Sequence, residues 1–242
     1  MENIYKENYE NIQNKIIRAA NAVGRNPDDI KILAVSKTHN YEVIANAISA
    51  GIPVFAENYA QEFRDKNKEL TEYYVNNNLN IPLFEWHFIG HLQENKVKYI
   101  IPYVTTIHTI DSIGLATEIN KQSEKYNKKV NVLLQINTSG EESKSGVEPE
   151  TANTLTKQML ALPNLNLIGL MTIGTFSEDA KIIRKEFTLL RNTLKDVNDV
   201  CGIDLKELSM GMSHDFEIAI SEQATMVRIG TAIFGERYYP PK

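Results

Sequence analysis

The apolar positions of this chain keep changing rhythm. From Met1 to about Val23, the residues Ile4, Tyr9, Ile12, Ile16, Ala19, Ala20 and Val23 recur at spacings of three and four with Glu and Lys between them, which predicts an amphipathic leading helix. Lys31-Ile-Leu-Ala-Val-Ser-Lys37 is instead a short apolar run that ends in polar residues, the profile of a strand buried on both faces. The two rhythms then alternate to the end. Further strands are predicted at Val54 to Asn58, Glu85 to Gly90, Thr105 to Ile110, Val130 to Asn137, Leu165 to Gly174, Glu207 to Gly211 and Met226 to Phe234. Between them the spacing predicts helices over Tyr41 to Ala50, Gln61 to Val75, Gln93 to Ile101, Ser112 to Tyr126, Pro149 to Leu162, Ser177 to Val200 and Phe216 to Glu222. The tract Asn76 to Asn80 and the segment Ser139 to Glu148, with Glu141, Glu142 and Lys144, read as solvated loops.

Strands alternating with helices imply a parallel sheet with crossover helices, and about eight strands is the number that closes a (β/α) barrel. An open doubly wound sheet is the alternative, but no strand is followed by a Gly-x-Gly-x-x-Gly turn or a Gly-x-x-x-x-Gly-Lys phosphate loop. The 242 residues suit one α/β domain, 1–242, a (β/α)8 TIM barrel with an extra N-terminal helix. At 42% hydrophobic and 24% charged residues the chain can bury a sizeable core, and its net charge of −5 offers no bulk basic footprint for nucleic acid or an anionic membrane. Its one cysteine, Cys201, cannot form an intrachain disulfide, no apolar run reaches membrane-span length, and no secretion signal opens the chain. A cytoplasmic monomer is the expectation.

In such a barrel the chemistry gathers at the C-terminal ends of the strands. The first predicted strand ends in Lys37, directly after an apolar run. Partial desolvation disfavours an ammonium there, so the amine is suited to a Schiff base; the bland alternative is a rim lysine reaching water. The last two strands lead into Ser209-Met-Gly-Met-Ser213 and Arg228-Ile-Gly-Thr231, where glycine lets backbone N–H groups approach an anion and Ser213 and Thr231 add hydroxyls. Each segment also reads as a small-residue turn with a helix cap. Arg228, within an apolar run, requires a partner for its charge: an acidic neighbour such as Glu222 or Glu236, or a ligand. An amine-forming lysine, a phosphate cradle and a strand-borne arginine together outline pyridoxal phosphate. His87 and His91 suggest no third metal ligand, so a hydrogen-bonded core histidine is the reading of His87; His39, His108 and His214 form no motif. Ser213-His214-Asp215 cannot form a hydrolase triad, because adjacent residues lack the mutual geometry.

The segments Ala34-Val-Ser-Lys-Thr38, Glu57-Asn-Tyr59, Trp86-His-Phe-Ile-Gly90, Gly169-Leu-Met-Thr-Ile-Gly174, Leu208-Ser-Met-Gly-Met-Ser213 and Val227-Arg-Ile-Gly-Thr-Ala-Ile-Phe-Gly235 span nearly the whole chain. In them the sequence resembles the pyridoxal phosphate homeostasis proteins, single-barrel proteins related to the N-terminal domain of alanine racemase. The resemblance implies a fold-type III barrel with Lys37 as the aldimine lysine, Arg228 facing the pyridine nitrogen, and Ser213, Gly230 and Thr231 around the phosphate. Asn58, Met171 and Ser209 match family positions that line the mouth. Two departures stand out: Ala56 where the family usually has glycine before Glu57-Asn58, expected to crowd the ring slightly, and Gln223 for the usual glycine before Ala224, expected to alter only a turn.

Racemisation in the related full-length enzymes uses a second base, a tyrosine from an additional β domain of the partner subunit, and 242 residues leave no room for that domain. The expectation is therefore a protein that binds pyridoxal 5'-phosphate reversibly and buffers it or delivers it to recipient enzymes. Weak racemisation, and a Schiff-base aldolase without coenzyme, are the competing readings.

Overall fold

In the computed structural model, which describes residues 3–141 and 144–235, eight parallel strands follow one another around a closed barrel. They are β1 (Lys31–Val35), β2 (Val54–Glu57), β3 (Glu85–Phe88), β4 (Thr106–Ile110), β5 (Val130–Gln135), β6 (Leu165–Met171), β7 (Glu207–Met212) and β8 (Met226–Ile229). Closure comes from β1, whose Ala34 sits in register with Phe55 on one side and Ile229 on the other. The helices are α1 (Ile4–Ala22), α2 (Tyr41–Ser49), α3 (Ala60–Asn76), α4 (Val97–Ile100), α5 (Ile113–Lys125), α6 (Ala152–Leu160), α7 (Ala180–Cys201), α8 (Phe216–Ser221) and α9 (Thr231–Phe234).

Alternating residues of each strand serve two cores. On β1, Ile32 and Ala34 join the large shell between strands and helices, while Leu33 and Val35 join Val54, Ala56, Ile89 and Met226 in a smaller cluster. The longest helix shows why the shell holds. Ile183, Phe187, Leu190, Leu194 and Val197 of α7 form one buried stripe at helical spacing, each side chain contributing about 1.5–3 kcal/mol on leaving water. Asp179 caps the start of α7 by accepting from the Lys181 N–H, and Gly202, at φ 65°, ends it in the left-handed conformation that glycine adopts freely. The leading helix α1 is tied to the end of the described chain: Asn8 Nδ2 donates to the Ile233 carbonyl at 2.9 Å, and Tyr5 packs on Phe234.

The predicted strands β1, β3, β5 and β6 run two or three residues too far at their C-terminal ends and β2 one, because buried residues there have left the ladder for the loops that rim the mouth. The largest correction falls on β8. It stops at Ile229, and Thr231–Phe234 turn into α9, whose Ile233 is buried; periodicity alone cannot separate so short an apolar run from a strand. No helix among the described residues is long and apolar enough to cross a membrane.

Candidate cofactor site at the barrel mouth

The C-terminal strand ends enclose a cavity of about 360 Å³. Lys37, Asn58, Ser213, Arg228, Gly230 and Thr231, six of the eight residues singled out in the sequence, line it together, and Ala56 does not. The other two lie behind it: Met171 and Ser209 are fully buried neighbours in the register of β6 and β7. The cavity also takes in Val35, Ile89, Ile173 and Met212, which lie within the quoted segments but were given no role, together with Phe176 and His214. A larger hollow, about 850 Å³, opens among Arg25, Leu205 and Gln223 near the N-terminal ends of β7 and β8, away from these groups.

Three local devices shape the cavity. The first fixes the loop after β1. Thr38 holds φ 69°, a left-handed conformation that costs a β-branched residue about 1–2 kcal/mol, and its N–H donates to Glu62 Oε1 at 2.6 Å. Glu62 belongs to a largely buried cluster in which the Lys66 ammonium donates to Glu57 Oε1 at 2.5 Å, to Glu62 Oε1 at 2.9 Å and to the Ser36 carbonyl at 2.9 Å. Ser36 Oγ also donates to Glu57. Residues 36–38 are thus clamped on both sides of Lys37. Burial pushes the Glu57 carboxyl up to about 7 against the pull of Lys66.

The second device is a bulge in β7. Ser209 pairs with Met226 and Met212 with Arg228, so β7 carries one residue more than its partner between these points. Gly211 absorbs the extra residue at φ 92°, where a Cβ would come within 2.6 Å of Ala219 Cβ. The bulge carries the chain into Ser213 at the rim, and Asp215 Oδ1 accepts from the Met212 N–H.

The third device seats Arg228. Its guanidinium is buried and donates to the Ser209 carbonyl at 2.9 Å, to Ser209 Oγ at 3.0 Å and to the Thr172 carbonyl at 2.8 Å. The expected acidic partners are not among these: Glu222 is held by Arg184, Arg191 and Thr188, and Glu236, like Glu142, lies outside the described residues. Burial lowers the arginine to about 10, which leaves it charged at neutral pH. Beyond β8, Gly230 and Thr231 open α9, whose first N–H groups have no partner within the helix.

The histidines sort differently from their spacing. His91 lies 3.7 Å from Asp111, and His214 packs on Phe176 with its Nε2 3.2 Å from Asp215. His87 is a buried, hydrogen-bonded histidine, and its partner is His108 from the neighbouring strand, at 2.9 Å. Cys201 closes α7 with its sulfur 3.8 Å from the Asn153 carbonyl.

Comparison with known proteins decides the family. The family model "Alanine racemase, N-terminal domain" matches residues 8–238. A "Pyridoxal phosphate homeostasis protein" of Aquifex aeolicus is 43% identical over 233 residues, covering 96% of this chain and 98% of its own. The chain belongs to the pyridoxal phosphate homeostasis protein family. Among solved structures, a protein of Bifidobacterium adolescentis superposes with a TM-score of 0.86 at 36% identity, covering 95% of this chain and 94% of that one. PipY of Synechococcus elongatus, a structure with PLP bound, superposes at 0.77 with 30% identity, covering 91% of this chain and all of PipY. This family membership accords with the closed barrel and with the six residues gathered at its mouth.

Proposed function

We propose that the chain binds pyridoxal 5'-phosphate in the mouth cavity and takes part in its homeostasis inside the cell, as a carrier without strong catalysis of its own. The observation that carries this reading is the convergence of Lys37, Arg228 and the Ser213 and Gly230-Thr231 segments on one cavity from strands far apart in sequence. The donor set fits the coenzyme. It offers a primary amine for an aldehyde, hydroxyls and helix-start N–H groups for a phosphate, and a permanent cation for a ring nitrogen. Asn58 Oδ1, buried at the cavity wall without a hydrogen-bond partner among the described residues, is an acceptor left over for a bound group. PipY, with PLP in its structure, supports the same reading.

When bound, the coenzyme supplies an aldehyde that condenses reversibly with amines. The chain's own residues do the rest. Lys37 provides the nucleophilic amine on a clamped loop; Ser213, Gly230 and Thr231 hold the phosphate; Ile89 and Val35 cover the inner wall and keep water from it. Arg228 favours storage over turnover, since a guanidinium donates hydrogen bonds and accepts none, so a ring nitrogen set against it stays unprotonated and withdraws electrons weakly. The proposal extends to a cytoplasmic monomer that hands the coenzyme to recipient enzymes, which a transfer assay with an apoenzyme and light scattering would check.

Incubation with the coenzyme, borohydride reduction and peptide mass mapping test the site. The expected result is one reduced adduct, on Lys37, absent in Lys37→Ala. Wild-type protein that binds no coenzyme, or carries the adduct on other lysines only, would overturn the proposal.

A further inference from the structure

Beneath Arg228 a line of polar side chains crosses the barrel interior to its opposite rim. Arg228 bonds Ser209 Oγ at 3.0 Å; Ser209 Oγ lies 2.9 Å from His108 Nδ1; His108 Nε2 lies 2.9 Å from His87 Nδ1; His87 Nε2 lies 3.1 Å from Glu85 Oε2, which also bonds Lys31 Nζ at 3.1 Å. Ser209, His87 and His108 are fully buried, whereas Glu85 and Lys31 reach solvent at the N-terminal ends of β3 and β1.

With both imidazoles neutral, as their burial favours, the two ends settle the direction of every bond between them. A guanidinium can only donate and an ionised carboxylate can only accept. His87 must therefore carry its proton on Nε2 to bond Glu85, which makes its Nδ1 an acceptor. His108 must then donate from Nε2 and accept at Nδ1, and the Ser209 hydroxyl must donate to it. One arrangement satisfies all members, with both imidazoles neutral. Burial lowers both histidines; Lys31 also opposes a proton on either ring, His87 and Arg228 oppose one on His108, and Glu85 and Glu207, which favour one on His87, are outweighed. Asp215 acts on Arg228 and on neither of these two histidines.

We propose that Ser209, His108 and His87 are positioning residues forming a one-way hydrogen-bond chain, anchored on Glu85, that aims Arg228 into the mouth without placing a carboxylate in hydrogen-bond contact with the guanidinium. The aiming role rests on the coenzyme reading above; the wiring does not. Because Ser209 is the acceptor that turns the guanidinium, its loss changes what the mouth presents without touching Lys37.

Nitrogen NMR of the coenzyme-free protein, with histidine labelled, reads the wiring directly. Between about pH 6 and 8, two of the five histidines, His87 and His108, should stay neutral with the proton on Nε2. Glu85→Ala, at a half-buried rim position, should release that constraint and mix the tautomers. An imidazolium or an Nδ1-protonated ring at His87 or His108, or rings indifferent to Glu85→Ala, would overturn the wiring. For the aiming role, Ser209→Ala should weaken coenzyme binding about tenfold, the worth of one charge-assisted hydrogen bond, and shift the bound absorption band while the Lys37 adduct still forms. Unchanged affinity and spectrum would refute it. If wild type forms no adduct at all, the proposed function fails while the NMR result stands independently.

Discussion

Two cations meet at the mouth, and the barrel holds their surroundings in opposite ways. The loop carrying Lys37 rests on full charges, with Lys66 shared between Glu57 and Glu62 in a largely buried cluster. Arg228 hydrogen-bonds only to dipoles, a hydroxyl and two carbonyls, with the two imidazoles behind them and Asp215 the acidic group that acts on it without a hydrogen bond. A charged cluster holds geometry firmly but is intolerant of losing one member, because the charge left behind is buried and unpaired. A neutral chain loses less when broken, and it adds no counter-charge that would spend the arginine's own. The difference suits the two proposed tasks, since a lysine that must react needs placement and an arginine that must polarise needs its charge intact.

The sharpest way to break this contrast is Lys66→Met, which strands two carboxylates. It should cost about 3–5 kcal/mol in urea unfolding above the Glu57 pKa, and adding Glu57→Gln should recover part of the loss. His108→Phe, of similar shape, should cost less, about 1–3 kcal/mol, through the acceptors and donors it leaves on Ser209 and His87. Equal losses would erase the distinction.

Acid and base should pull the two regions apart as well. Glu57 is raised from 4.5 to about 7 by burial, so the unfolded chain gives up that proton first; its contribution to stability is fully present below about 4.5 and is lost as pH rises to about 7. Glu85 is lowered to about 2, chiefly by the His87 hydrogen bond, so its contribution is present above about 4.5 and is lost as pH falls toward 2. Thermal melts across pH should therefore flatten on the neutral side in Glu57→Gln and on the acid side in Glu85→Gln.

The smallest effect concerns strain. Thr38 and Gln223 both hold positive φ, at 69° and 74°. Replacing either by glycine should gain about 1 kcal/mol, but only Thr38→Gly should weaken coenzyme binding, by loosening the loop around Lys37. Equal binding by the two variants would show that the clamp does not orient the lysine.

These regions were unequally legible in the sequence. Lys37 and Arg228 announced themselves as charges against apolar runs, and the glycine-hydroxyl segments followed from the position of the last strands. Lys66 gave no such signal: with Glu62 four residues earlier it reads as an ordinary solvated helical pair, and only the packing of α3 against β2 buries it. His108 stands 21 residues from His87, a separation with no helical or metal-site meaning, and the parallel register of β3 and β4 makes them neighbours. The barrel itself was plain from the alternation, whereas its strand ends were not, since burial there persists after pairing stops. Ser209 and Met171 entered through the family resemblance alone, and both lie one layer behind the cavity lining.

The seam between β1 and β8 has a consequence for synthesis. A ribosome delivers Lys37 long before Arg228, Gly230 and Thr231, and α1 waits for Ile233 to complete its own packing. A growing chain therefore carries the Lys37 amine long before it owns the remainder of the mouth, so that capture of the aldehyde at the proposed site, with its phosphate held, would report a chain already threaded shut.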